Sequence, residues 1–286
     1  MANLKEIRNR IASIGSTMQI TSAMKMVSAA KLKKAQDAIT AMRPYSSKLT
    51  ELLQNLSATL DSDAGGAYSK QREVSKVLLV VVTSNRGLCG GFNSSVIKET
   101  AQNIAANYQD VDVDLLTIGK KGNDILSKSY PVIDARNDIF DNLTFDYVAE
   151  VAEKIMKLYA DGTYDKIEII YNRFKNAATQ IPQVEQFLPI KPVKGDANAS
   201  ADYIFEPSKE KIVLELIPKS LKTQLYKAVR DSFAAEHGAR MTAMHKATDN
   251  ATELRDELKL TYNKARQAAI TNEILEIVGG AEALKS

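Results

Sequence analysis

An α/β domain carried between two long helices that pair antiparallel as a coiled coil is the fold class this sequence predicts, on three observations. Leu4, Ile7, Ile11, Ile14 and Met18 step by 3, 4, 3, 4, and Ala38, Met42, Tyr45, Leu49, Leu52 and Leu56 repeat that step. Toward the other end Leu214, Ile217, Leu221, Leu225, Ala228, Ser232, Ala235, Ala239 and Thr242 hold nearly the same spacing. A stripe repeating every 3.5 residues is what helices that wind around one another require. Between those ends the period changes, and Val77–Val82 is an unbroken aliphatic run. Such a run suits a strand buried on both faces of a sheet.

The first helix is expected from Asn3, a plausible cap, to about Leu60, roughly 85 Å at 1.5 Å per residue. Pro44 lies inside it and should bend it locally, and Asp61–Gly66 should stop it. Strand Val77–Val82, a Gly-rich turn at Gly87–Gly91 and a helix over Ser94–Tyr108 come next. A strand over Val111–Ile118, a short helix near Asn123–Lys128 and a short strand near Val132 follow. A helix over Thr144–Tyr159 then leads to strand Lys166–Tyr171. That alternation predicts a Rossmann-like, mostly parallel sheet. Ile181–Phe187 reads as an added edge strand, where Pro182 is tolerated. After a polar connector at Pro189–Ala201, helical periodicity resumes near Ser208 and runs to about Val278, with a kink expected at Pro218 and Gly279-Gly280 closing it. The expected domains are 1–60, an N-terminal coiled-coil helix; 74–190, the α/β domain; and 208–286, a C-terminal helix pairing with the first.

Bulk properties exclude several classes. No apolar run approaches the length of a bilayer span, and Lys5, Glu6, Arg8 and Arg10 interrupt any signal-peptide core. One cysteine, Cys89, rules out an internal disulfide and points to a reducing compartment. His237 and His245 stand eight apart on a predicted helix, about 12 Å by rise; that is too far to share a metal, so both read as surface or seam residues. The net charge of +3 hides an asymmetry: residues 1–48 carry nine Lys/Arg against two acidic residues, whereas 49–208 carry 16 basic against 22 acidic. The first helix therefore calls for an acidic partner. Tyr45 is the one aromatic there, so nucleic acid is a poor fit and an acidic protein surface a better one.

Ser84-Asn85-Arg86-Gly87-Leu88-Cys89-Gly90-Gly91 is the foremost chemical candidate, since a Gly-rich strand-to-helix turn can cradle phosphate. Its spacing fits neither the dinucleotide fingerprint nor a Walker loop, and a structural turn is the better reading. Cys89 has no histidine in this domain to activate it and reads as a small buried thiol. Carboxylates such as Asp110, Asp112, Asp114, Asp134, Asp138 and Asp141 are scattered, and no catalytic residue, metal set or cofactor site emerges. The helical ends hold the unusual chemistry. Met18–Ala30 and Arg240–Met244 are small, flexible or polar on nearly every face. That suits either close helix–helix approach or a surface met by changing partners, where methionine adapts.

These segments together resemble the gamma subunit family of F-type ATP synthase across essentially the whole chain. The resemblance rests on Ile7-Arg8, Ile20–Val27, Arg43-Pro44-Tyr45, the Ser84–Gly91 turn, Glu236–Met244 and Tyr262–Ile274. Ser22 stands where lysine is common in the family and Asn85 where aspartate is common, and the chloroplast two-cysteine insert is missing. The resemblance implies a central rotor stalk without a catalytic site or cofactor. Its partners would be three alpha and three beta subunits, epsilon and the membrane c ring. It would sit peripherally on the cytoplasmic face of a bacterial inner membrane, reached only through the c ring. It implies that Met24, Arg266, Gln267, Thr271 and Glu273 touch beta and couple rotation to catalysis. It places Tyr203, Phe205 and Glu206 near the c ring and epsilon, and Ile277, Val278, Ala281 and Leu284 at an apolar bearing tip. The rivals are a Rossmann-like phosphate-binding enzyme with helical arms, and a static coiled-coil adaptor or basic nucleic-acid arm.

Overall fold

The computed structural model describes residues 4–57, 68–190 and 209–283. Ten elements run in order: α1 (Leu4–Ser57), β1 (Lys76–Val82), α2 (Phe92–Asn107), β2 (Asp112–Ile118), α3 (Lys120–Leu126), β3 (Val132–Arg136), α4 (Phe145–Ala160), β4 (Lys166–Phe174), β5 (Gln180–Leu188) and α5 (Lys209–Ala283). Asn3, Asp61–Gly66 and most of the Pro189–Ala201 connector lie outside the described residues. Two compact units divide the chain: one joins residues up to Ser28 with those from Met241 onward, and the other is Ala29–Arg240.

In the Ala29–Arg240 unit the five strands form one sheet in the order β3-β2-β1-β4-β5. β3, β2, β1 and β4 run parallel, and β5 pairs antiparallel to β4 at the edge. β1 occupies the centre, and Val77–Val82 is wholly buried, as an aliphatic run flanked on both faces must be. One face carries Leu78, Val80 and Val82 against α4 (Val148, Val151, Ile155) and α5 (Ile217, Leu221, Leu225, Val229). The other carries Leu79 and Val81 against Val96 of α2 and Leu126 of α3. Each fully buried aliphatic side chain contributes about 2 kcal/mol of transfer free energy, so both layers hold the sheet. Thr144 caps α4 by accepting from the Tyr147 amide at 3.5 Å, while Asp146 in its first turn and Lys157 in its last complement the helix dipole.

Two boundaries differ from expectation for identifiable reasons. α3 starts at Lys120, not near Asn123, because Asn85 Oδ1 accepts from the Lys120 amide at 3.0 Å and Thr83 Oγ1 from the Gly122 amide at 2.8 Å. Those two residues, distant in sequence, act as caps that no local pattern announces. Gly279-Gly280 does not close α5, which continues through both glycines to Ala283. Glycine costs a helix only about 1 kcal/mol relative to alanine, so two of them weaken the end without terminating it. α1 likewise runs unbroken through Pro44, and α5 through Pro218.

Gly119 has the tightest constraint in the sheet domain. Its φ of +100° disfavours any side chain, and a Cβ there would sit 2.1 Å from the Thr83 carbonyl oxygen. Gly162 also has positive φ (+78°), but its nearest atom would be an Arg72 side-chain nitrogen at 3.5 Å. Gly119→Ala is therefore expected to cost about 3 kcal/mol or more and Gly162→Ala about 1 kcal/mol, read from urea unfolding of the purified chain. Equal costs at the two sites would contradict the close approach of β1 and the β2–α3 turn.

Candidate functional site

In an open α/β sheet, ligands bind where the strand order reverses, outside the carboxyl ends of the central strands. Here that place lies beyond β1, at the Ser84–Gly91 turn, and the chain fills it with its own side chains. Ser84 Oγ donates to the Arg86 carbonyl at 2.7 Å, and Asn93 Oδ1 accepts from the Ser84 amide at 2.9 Å. Asn93, in the first turn of α2, thus ties that helix to the end of β1. Cys89 and Phe92 pack against Ala235 and Ala239 of α5. Arg240 closes the arrangement: its Nη2 donates to the Arg86 carbonyl at 3.1 Å and to Glu236 Oε1 at 2.7 Å, and its Nη1 to the Gly87 carbonyl. Burial pushes the Cys89 thiol up, so the thiolate a nucleophile needs is disfavoured. Burial also pushes the Glu236 carboxyl up, opposed by Arg240.

Around this contact α5 is buried on every side: Ala234–Arg240 are all buried. Gly238 lets the β4–β5 hairpin tip approach, since a Cβ there would lie 3.1 Å from Ala177 Cα and 3.3 Å from the Phe174 ring. Of the two readings left open for His237, surface or seam, its 5% exposure excludes the surface. Its ring meets Phe233 edge-on at 4.5 Å, and neither ring nitrogen finds a hydrogen-bond partner among the described residues. Burial, with Lys31 and Arg240 nearby, lowers its pKa to about 4.

The other unit is an antiparallel helix pair. A seam at the coiled-coil step runs through positions 4, 7, 11, 14, 18, 21, 25 and 28 of α1 and 244, 248, 251, 255, 258, 262, 265 and 269 of α5, none of them exposed. The hydroxyls of Thr21 and Thr248 lie 2.8 Å apart, and Arg8 Nη2 donates to the Tyr262 hydroxyl at 2.7 Å with its guanidinium over that ring. Moving back 13 residues on α1 advances 14 on α5, which defines the antiparallel register. Ile7 is the only buried large aliphatic residue in this unit among those described; Thr21, Ser28, Met244 and Ala251 make up the rest of its buried seam.

This geometry separates the expected coupling residues. Met24 is half-buried on α1, three residues past Thr21, and so lies level with the region of Met244. Arg266, Gln267, Thr271 and Glu273 are exposed on α5, more than 20 residues further on and about 30–40 Å away along the helix. They form two patches, not one site. Leu4 is level with Ala265, so α5 from about Ile270 onward has no α1 partner among the described residues. Ile270, Ile274, Leu275, Ile277 and Val278 are correspondingly exposed, as is Ala281. Tyr203, Phe205, Glu206 and Leu284 lie outside the described residues.

Comparison with known proteins bears on what such surfaces serve. A family model described as ATP synthase matches residues 3–284. The ATP synthase gamma chain of Flavobacterium psychrophilum is 74% identical over 286 residues and covers 100% of both chains. The chain belongs to the ATP synthase gamma-chain family. A more distant gamma chain, from a Geobacter species, is 46% identical over 287 residues, covering 100% of each chain. Among solved structures, the central stalk and c-ring of the Tetrahymena thermophila mitochondrial ATP synthase has a related chain. It is 28% identical with a TM-score of 0.62, covering 80% of this chain and 99% of that one. A chain in the Euglena gracilis mitochondrial enzyme shares the fold at 22% identity, with a TM-score of 0.70 over 98% of this chain and 94% of that one.

Sequence reasoning missed the Arg240–Glu236 pair as a structural unit and the burial of His237. An i,i+4 spacing was the available signal for the first. The second had none, because the element that covers His237 is far away in sequence. The unfolded chain protonates this imidazole near pH 6.5 and the folded one only near pH 4, so its contribution to stability is lost as pH falls through that window. At pH 4.5 it should have cost about 2–3 kcal/mol relative to pH 7. His237→Phe is expected to shrink the difference between urea unfolding free energies at those two pH values by about that amount. An unchanged difference would mean that the ring is solvated.

Proposed function

We propose that this chain is the turning central stalk of a rotary ATP synthase, transmitting rotation between a membrane c ring and catalytic beta subunits while making no bonds itself. Full-length membership of the gamma-chain family carries this reading. Two structural features support it. At the end of β1, where an α/β sheet would bind a nucleotide, the Ser84 amide and the Arg86 and Gly87 carbonyls are bonded within the chain, to Asn93 and Arg240, which favours a structural turn over a phosphate cradle. The unpartnered end of α5 exposes Ile270, Ile274, Leu275, Ile277 and Val278 in one helical stretch, an apolar surface suited to being enclosed.

On this reading the partners are three alpha and three beta subunits around one such chain, with epsilon and the c ring. The chain sits peripherally on the cytoplasmic face of a bacterial membrane; no helix among the described residues is long and apolar enough to cross one. Met24 and the Arg266–Glu273 patch meet beta at two levels. Ile277, Val278, Ala281 and Leu284 form the apolar tip, and Tyr203, Phe205 and Glu206 face the c ring and epsilon. Three chemically identical beta subunits meet different faces of the helix pair and are held at different nucleotide affinities, and rotation permutes those states. A proton crossing about 150 mV supplies roughly 3.5 kcal/mol, and several per ATP supply about 10. That matches the stability of a whole domain, about 5–15 kcal/mol, so the load must be spread over many contacts.

Ile277 and Val278 are 66% and 53% exposed, so replacing both with lysine should change the stability of the purified chain by less than about 0.5 kcal/mol. In membrane vesicles carrying the assembled complex, the same double variant is expected to pump measurably fewer protons per ATP hydrolysed. Wild-type pumping would remove the tip from the working surface. Subunit counting that gave a ratio other than one of this chain to three of each of two partners would sink the stalk reading itself.

A further inference from the structure

Leu88 stands out on the surface of the sheet domain. It has a left-handed backbone, φ 63°, alone among the described non-glycine residues, and it is 66% exposed. Such a conformation costs about 1–2 kcal/mol and persists only where its surroundings over-determine it. Within the turn, Ser84 Oγ and Cys89 Sγ donate to the Arg86 carbonyl at 2.7 and 3.8 Å. The charged restraint comes from another element. Arg240 of α5 reaches the carbonyls of both Arg86 and Gly87, the two residues before Leu88, while Glu236 one helical turn back holds its charge.

We propose that Arg240 is a positioning residue: a latch that ties the Arg86–Leu88 segment to α5 so that force on α5 is passed to the turn and to what the turn touches. The proposal rests on the stalk reading. Packing alone does not account for the arrangement. A buried ion pair is a poor stabiliser compared with apolar side chains of equal size, and Ala235 and Ala239 already seat Cys89 and Phe92. A guanidinium fork adds direction instead. Three acceptors on two elements are fixed by one rigid group, whereas a lysine ammonium is a point charge on a flexible stem.

Cys89, buried and the only cysteine of the chain, reports on the latch directly. In vesicles carrying the assembled complex, N-ethylmaleimide labelling of the Cys89 peptide is followed by mass spectrometry, beside protons pumped per ATP hydrolysed. Arg240→Met should label roughly tenfold faster or more and pump fewer protons per ATP. Arg240→Lys should fall between it and the parent in both readouts. If Arg240→Met does not assemble, Arg240→Lys and Glu236→Gln carry the same comparison. Labelling at the parental rate in every variant overturns the latch; faster labelling with parental pumping leaves Arg240 a packing residue and overturns its positioning role. Should parental vesicles not acidify on ATP addition, the stalk reading fails separately, and the labelling arm still decides the latch.

Discussion

The grip of the sheet domain on α5 between Ala228 and Arg240 is the constraint on which the rest of that unit depends. A helix buried on every side must meet its neighbours at short range, and only small side chains permit that. Ala228, Ala234, Ala235, Gly238 and Ala239 supply them. Gly238 admits the β4–β5 hairpin tip, Ala235 and Ala239 admit Cys89 and Phe92, and Ala228 closes onto the core beneath β1. Charge enters at buried Asp231, at Arg230, which donates to the Leu143 carbonyl, and in the Glu236–Arg240 pair with its two carbonyl acceptors. His237 is an imidazole held neutral because burial, with Lys31 and Arg240 nearby, disfavours its charged form.

The helix pair of the other unit follows the opposite logic. Its seam keeps the coiled-coil step, yet beside Ile7 and Met244 it buries threonine, serine and alanine where a self-sufficient coiled coil would bury leucine. The Thr21–Thr248 hydroxyl contact and the Arg8–Tyr262 pair mark register at little gain in burial. Most of the pair's outward surface, including Ile20, Met26 and Val27 on α1, stays exposed. Such a pair has apolar area left over for a surrounding partner, and methionine among it accommodates surfaces that change.

Periodicity made the helices and the central strands legible because each reports its own local environment: Val77–Val82 is apolar throughout as it is buried throughout, and Ile7 and Ile11 repeat as the seam repeats. It faltered where distant residues act as local signals. The start of α3 is set by Asn85 and Thr83, and the burial of His237 by elements remote in sequence. The seam between Thr21 and Ser28 was hidden because its members are polar or small, although they keep the 3.5-residue step. The expected coupling residues came from family resemblance, and the antiparallel register then divided them into two levels, which spacing within one helix could not reveal.

At the end of its central strand this sheet ties its turn to its own helices, and the reason is physical, not historical. Residues at the end of β1 can offer their polar groups to a ligand or to the chain itself. Once Asn93 takes the Ser84 amide and Arg240 takes the carbonyls of Arg86 and Gly87, those groups are spent. The exchange converts a binding site into a joint. A ligand site must open to release its occupant, whereas a joint under load gains from the reverse property, internal bonds that never need to break. The same sheet topology that elsewhere places a cofactor at the switch point therefore serves, in this chain, to fasten a loop to a helix.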